Sequence, residues 1–434
     1  MTQSKRHMAV LMAALAMLLF ACSNGAGTVT TAVETTTTTT AATTTPATTA
    51  TTEGAGEPPA AINVGAVVPL TGAFAGGGAQ VERGYRYAIE AVNEAGGVMV
   101  EEFGTSLPIN LVLRDDASDP SQTVNQMQDL FANEDIVAYL GGFGSPLHAA
   151  AAAIAEQNEV PYLGVAFALQ SIHEQGYRYL FSPFVKSPDI AVSVYEMLNG
   201  VLAEGERPTR VAIFQESTDW GEELGPLWAA AAPEFGYEIV VHETYAPGTT
   251  DFSDLILRAQ AADANALFTL PTPPDGFAMF QQMGELGWIP AFSLVVRAAD
   301  VPTWLDLGEV GEGVFLSAGW HWALGYPGVE AINERHTAEE GRPADPIVGG
   351  AYSVIEVLGD AITRAGTLDH LAVRDALAET NLMTVAGQVE FREDGTTITS
   401  NPLMQRVAGA IELIWPTEFA TSEIVYPVPA ATNG

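Results

Sequence analysis

The chain has 434 residues, hydrophobic residues at 47%, and a formal net charge of −36 from 17 lysines and arginines against 53 aspartates and glutamates. A surface this acidic repels nucleic acid and anionic lipid headgroups, which excludes DNA, RNA and peripheral membrane binding. A single cysteine, Cys22, excludes an intrachain disulfide, so a large core has to hold the fold together.

Lys5 and Arg6 precede an apolar run, Met8 to Phe20, that is shorter than the roughly 20 residues a bilayer span needs. The run ends in Leu19-Phe20-Ala21-Cys22, which resembles the bacterial lipobox, with Phe20 bulkier than the residue usual there. On that reading residues 1–21 are a lipoprotein signal peptide and Cys22 is the lipidated mature N-terminus, anchored at the outer face of the cytoplasmic membrane. Two or more acyl chains on one residue hold stably where a single chain is marginal. The alternative is an ordinary secretory signal cut near Ala21. Loss of Lys5 and Arg6 with the signal takes the net charge from −36 to −38 and leaves Lys186 as the one lysine. Residues 22–60 read as a disordered tether, because Thr28 to Thr52 is mostly threonine and alanine and can bury no core.

Beyond Pro59 the pattern alternates. Ile62 to Val68 reads as a buried strand, Gln80 to Glu94 as a helix stopped by Gly96-Gly97, Ile109 to Leu113 as a strand and Ser121 to Ala132 as a helix. Strands follow at Ile136 to Leu140 and Val160 to Val165, with an alanine-rich helix from Pro146 between them. The rhythm restarts with strands at Arg210 to Phe214, Glu238 to His242, Ala266 to Leu270 and Phe292 to Val295. Such alternation predicts an α/β fold with parallel, doubly wound sheets. About 370 residues exceed what one such core carries, so two lobes are expected. Ligands of open α/β sheets sit beyond the C-terminal strand ends, so two facing lobes would make a cleft.

Three segments carry a family resemblance: Gly65 to Val98 (GAVVPLTGAFAGGGAQVERGYRYAIEAVNEAGGV), Gly141 to His148, and Phe214 to Gly225 (FQESTDWGEELG). Together they resemble the type I periplasmic binding proteins, in the branched-chain amino-acid-binding branch that serves ABC transporters, over Ile62 to about Val428. The resemblance implies two lobes joined by a three-crossing hinge that closes on a ligand. The crossings are expected near Ser182-Pro183, Gly319-Trp320 and Thr384 to Gly387. That divides the chain into one lobe of residues 61–182 and 320–385 and another of 183–319 and 386–430. It also implies an ABC permease as partner and a small amino acid, carboxylate or amide as ligand. A sensor docking on a signalling partner is the alternative, since one fold serves several roles.

The same resemblance nominates the site. Ser145 stands where the family holds a ligand carboxylate, at a helix start whose backbone N–H groups favour an anion, and it could serve as a plain N-cap at the same time. Gly144 would let the ligand approach the backbone. Ala166 and Ala168 fall where the family presents a carbonyl and a small hydroxyl residue; with alanine at 168 that side-chain bond is lost. Phe74 matches an aromatic lid and Trp220 an aromatic on the opposite lobe, each with lobe-core packing as its alternative. Val296 falls where amino-acid binders carry a carboxylate for the ligand ammonium, and neither it nor Arg297 can do that work. Arg297 could clamp a second carboxylate or an amide oxygen, or make a surface ion pair. Asp275 and Asp300 lie near enough to substitute. Trp320-His321-Trp322 would either line the cleft or pack a loop.

Catalytic signatures are absent from the sequence. Gly142 to Pro146 lacks the G-x-S-x-G spacing, His336 to Glu340 is not H-E-x-x-H, and no Walker A or complete dinucleotide fingerprint occurs. His148 would share a helix face with Ser145, but no third group orients it. The remaining histidines are scattered. No enzyme activity, cofactor or metal is expected.

Overall fold

The computed structural model describes residues 56–399 and 401–428. The expected signal peptide, Cys22 and nearly all of the expected tether lie outside them. Two open sheets, each flanked by helices, organise the described chain.

The first lobe begins with β1 (Ile62–Val68), α1 (Ala75–Glu94), β2 (Val98–Val100), β3 (Thr105–Leu107) and β4 (Ile109–Asp115). It continues through α2 (Pro120–Asn133), β5 (Ala138–Leu140), α3 (Ser145–Asn158), β6 (Tyr162–Leu163) and β7 (Leu180–Phe181). Its sheet runs β4-β1-β5-β6-β7, parallel throughout. Six of the seven residues of β1 are buried, as a strand covered by helices on both faces must be. Local signals start the helices: Asp119 accepts from the Ser121 amide and Pro120 occupies the first turn of α2.

The chain then enters the second lobe through α4 (Ser187–Val201), β8 (Arg210–Glu216), α5 (Asp219–Phe235), β9 (Glu238–Tyr245) and α6 (Ser253–Ala261). β10 (Ala266–Thr269), α7 (Pro273–Glu285), β11 (Phe292–Val295) and β12 (Phe315–Ser317) complete its parallel part. α8 (Val329–Glu340), α9 (Val348–Ala365) and α10 (His370–Ala378) return to the first lobe, where Arg86 of α1 pairs with Glu339 and Arg335 with Glu90. After the hairpin β13 (Asn381–Thr384) and β14 (Gly387–Glu390), the chain finishes with β15 (Leu403–Val407) and β16 (Ala410–Trp415). The second sheet has the order β16-β15-β12-β11-β10-β8-β9, and β15 and β16 are antiparallel additions at one edge.

One expected boundary is corrected. Residues 384–387 are not a crossing; Thr384 pairs with Gly387 inside the hairpin β13–β14, which rests on α9. The third passage is the segment after β14, where Ser182 and Thr396 form a parallel bridge before β15 joins the second sheet. The crossing expected at 384–387 rests on the family resemblance alone, and it is the cross-strand register that reveals the hairpin.

Candidate functional site

The loops that follow the C-terminal strand ends of both sheets converge on one cavity. From the first lobe come Gly144 and Ser145 after β5, and Ala166, Phe167 and Ala168 after β6. From the second come Trp220 after β8, Val296, Arg297 and Asp300 after β11, and Ser317 and Ala318 at the end of β12. Phe143, Phe184, Ile190 and Ile347 add apolar wall. Six of the seven nominated ligand residues therefore share this cavity. The seventh, Phe74, does not line it; its ring lies 6.1 Å from that of Phe143 and 5.0 Å from the Arg297 guanidinium carbon.

Gly144, not Ser145, is the N-cap of α3, with φ of 100° and no side-chain capping bond. A Cβ there would press on the Phe74 ring at 3.3 Å, in a backbone conformation that L side chains rarely adopt. Freed from capping, the buried Ser145 hydroxyl has no hydrogen-bond partner among the described residues. The Gly144 amide donates to the Ala166 carbonyl at 3.1 Å, tying the two first-lobe loops together. Ala166 has φ of 56° and Ala298, on the facing loop, 87°. Left-handed alanines cost on the order of 1–3 kcal/mol each and persist where surroundings over-determine them.

Arg297 is buried rather than at the surface. Its Nη2 donates to Glu216 at 2.8 Å and to the Leu270 carbonyl at 3.2 Å, and Nε to the Pro271 carbonyl at 3.0 Å. The guanidinium carbon stands 5.0 Å from the ring centres of both Phe74 and Trp220, a double cation–π contact. Nη1 has no partner among the described residues.

Of the two acids near Val296, Asp300 is the one that lines the cavity. It is buried on the cavity, its Oδ1 has no partner among the described residues, and burial raises its pKa to about 6. Asp275, the other acid considered, accepts twice from the Gly248 amide at 3.1 Å and does not line the cavity. The loop position of Asp300 was legible; that its side chain turns inward was not, because a loop has no periodicity to set its facing. Trp320 donates to the Val385 carbonyl and His321 bonds the Ile411 carbonyl, so this pair packs its loop.

Behind the cavity, Phe167 is stacked by His148 at 4.4 Å and His173 at 5.7 Å, with the Lys186 Nζ 3.5 Å over its ring. Lys186 donates to the Phe167 carbonyl at 3.0 Å and the Ser182 hydroxyl at 2.8 Å, and burial pushes its pKa well below the usual lysine value. His148 bonds the Gly144 carbonyl through Nδ1 at 2.9 Å, and its burial lowers its pKa to about 3. It makes no bond to the Ser145 hydroxyl, so no Ser–His pair exists here. Among the described residues no cluster of His, Cys, Asp and Glu could hold a metal ion, and no helix is long and apolar enough to cross a membrane.

Residues 61–410 match the periplasmic binding protein family. Leu/Ile/Val-binding protein homolog 7 of Brucella abortus (strain 2308) is 25% identical over 392 residues, covering 86% of this chain and 96% of that one. The crystal structure of a leucine-binding protein LivK from Thermotoga maritima superposes with a TM-score of 0.72 at 23% identity, covering 81% of this chain and 97% of that one. A solute-binding protein from R. palustris in complex with benzoate superposes with a TM-score of 0.69 at 16% identity, covering 84% of this chain and 98% of that one.

Proposed function

Because the chain belongs to the periplasmic binding protein family, we propose that it is the solute-binding component of an ABC importer, holding a small carboxylate-bearing, amino-acid-like ligand in the interlobe cavity. It binds without chemistry, closes around the ligand, and delivers it to a membrane permease from a lipid anchor at Cys22. One observation carries this reading: three buried polar atoms on a single cavity, the Ser145 hydroxyl, Arg297 Nη1 and Asp300 Oδ1, have no partner among the described residues. Buried groups are nearly always satisfied, and exceptions call for a missing partner. Ser145 and Arg297 can donate to a carboxylate; Asp300 can accept from an ammonium at the other end. Glu216 already neutralises Arg297, so an ionised Asp300 leaves this trio of groups with a net negative charge that favours an ammonium. Apolar walls around them suit a short hydrocarbon side chain.

The test is calorimetric titration of residues 56–434, stripped of carried-over ligand, with free amino acids and with matched acids lacking the amine. An ammonium needs Asp300 ionised, so amino-acid affinity is expected to fall as the pH drops below about 6. A ligand that instead accepts a proton-bearing Asp300 bond would lose affinity as the pH rises, and only amine-free acids would bind. Ser145→Ala is expected to weaken a carboxylate ligand by about 1–3 kcal/mol. Unchanged affinity in that variant would remove Ser145 from the site, and binding of neither ligand class would overturn the reading.

A further inference from the structure

We propose a second site, for a small multiply charged oxyanion such as phosphate, built by Arg178, Arg374 and Arg392 at the hinge side of the first lobe. The three arginines line a surface pocket that shares no residue with the interlobe cavity. Tyr177, Phe181 and Phe391 form its apolar walls, and Glu393 is the one carboxylate in its lining. A chain with 17 cations and a net charge of −36 spends three of those cations on this one depression.

The arginines are under-used by the protein itself. Arg374 pairs through Nη2 with its exposed neighbour Asp375 at 2.7 Å and lies 5.6 Å over the Tyr179 ring, while its Nε is buried with no partner among the described residues. Arg392, an exposed residue, hydrogen-bonds neutral oxygens, the Thr396 hydroxyl at 3.0 Å and the Thr397 carbonyl at 3.3 Å, while its charge also acts on Asp189 and Asp394 without a direct ion pair among the described residues. Arg178 enters no ion pair among the described residues; only its amide is engaged, by Glu156. Guanidinium forks match tetrahedral and planar oxyanions bidentately, and a desolvated, unpaired N–H is the position an anionic oxygen gains most from filling. A free anion fits better than a lipid headgroup, because the acidic surface as a whole repels an anionic bilayer.

Placement gives the site a consequence. Phe181 ends β7 one residue before the first crossing, and Phe391, Arg392 and Gly395 belong to the third, where the Asp394 carbonyl meets His173 at 2.7 Å. An anion bound by all three arginines would tie α10, the chain entering β7 and the third crossing together, and so bear on closure of the lobes.

Titration of residues 56–434 with inorganic phosphate, at matched ionic strength in chloride, tests the proposal. Saturable one-to-one binding is expected, weakened roughly ten- to a hundredfold in Arg374→Gln and in Arg392→Gln. It is expected to be unaffected in Ser145→Ala, and all variants should keep the wild-type urea midpoint within experimental error. Heats no larger than the chloride control, or equal affinity in folded Arg374→Gln, Arg392→Gln and wild type, would overturn it.

Discussion

Arg297 arrives in the cavity with its charge largely answered by Glu216, and both members of the pair are buried. Breaking a buried pair from one side leaves an uncompensated charge, and that loss, rather than the worth of the pair, dominates such mutations. Arg297→Met is therefore expected to destabilise the protein by about 3–5 kcal/mol, while Arg297→Met combined with Glu216→Gln should recover part of that loss. Urea melts of the single and double variants measure it; strictly additive losses would mean that the two side chains do not act as a pair. At this scale the sequence was a partial guide. The family resemblance nominates Ser145, Trp220 and Arg297, and each follows a strand end. Asp300 and the apolar wall of Phe143, Phe167, Phe184 and Ile347 depend on how loops fold back, which residue order does not encode locally. The cap role left open for Ser145 falls to Gly144, which takes the positive φ and leaves the hydroxyl without a partner among the described residues.

Between elements, the two lobes touch away from the ligand as well. Glu223, on α5 of the second lobe, accepts from the amides of Gln170 at 2.8 Å and Ser171 at 2.9 Å, at the start of a short 3₁₀ helix, Gln170–Gln175, in the first. Those amides are unsatisfied donors of a helix N-terminus, so a carboxylate suits them twice over. The bond exists only while the lobes are together, and a ligand shifts closure only by its differential affinity for that state. Glu223→Gln, which removes the charge at a half-exposed position outside the cavity, should weaken ligand binding by about 1 kcal/mol with little change in global stability. Calorimetry on the variant, beside small-angle scattering of the unliganded form, checks this. Wild-type affinity together with an unchanged radius of gyration would show that the contact does not bias closure.

Over the whole molecule, strand–helix alternation was legible because parallel sheets bury both faces and so write continuous apolar runs; Phe292 to Val295 is a strand at the residues expected. The antiparallel edge was not. β15 and β16 join through Ala408 and Gly409 with φ of 51° and 81°, a two-residue turn usually announced by Asn-Gly, and Ala-Gly gives no such signal. Charge is the other property that belongs to the whole chain. With 53 acids against 17 cations, most acidic side chains have no cation to pair with, and the folded state concentrates their repulsion. Raising ionic strength from about 0.01 M to 0.15 M shortens the screening length from about 30 Å to 8 Å. The urea midpoint is therefore expected to rise over that range, even though salt also weakens exposed pairs such as Arg86–Glu339, which contribute little singly. A midpoint that fell with salt would mean that the arginine–glutamate network between α1 and α8 outweighs the repulsion. Arg86→Gln would then be expected to abolish most of the salt dependence.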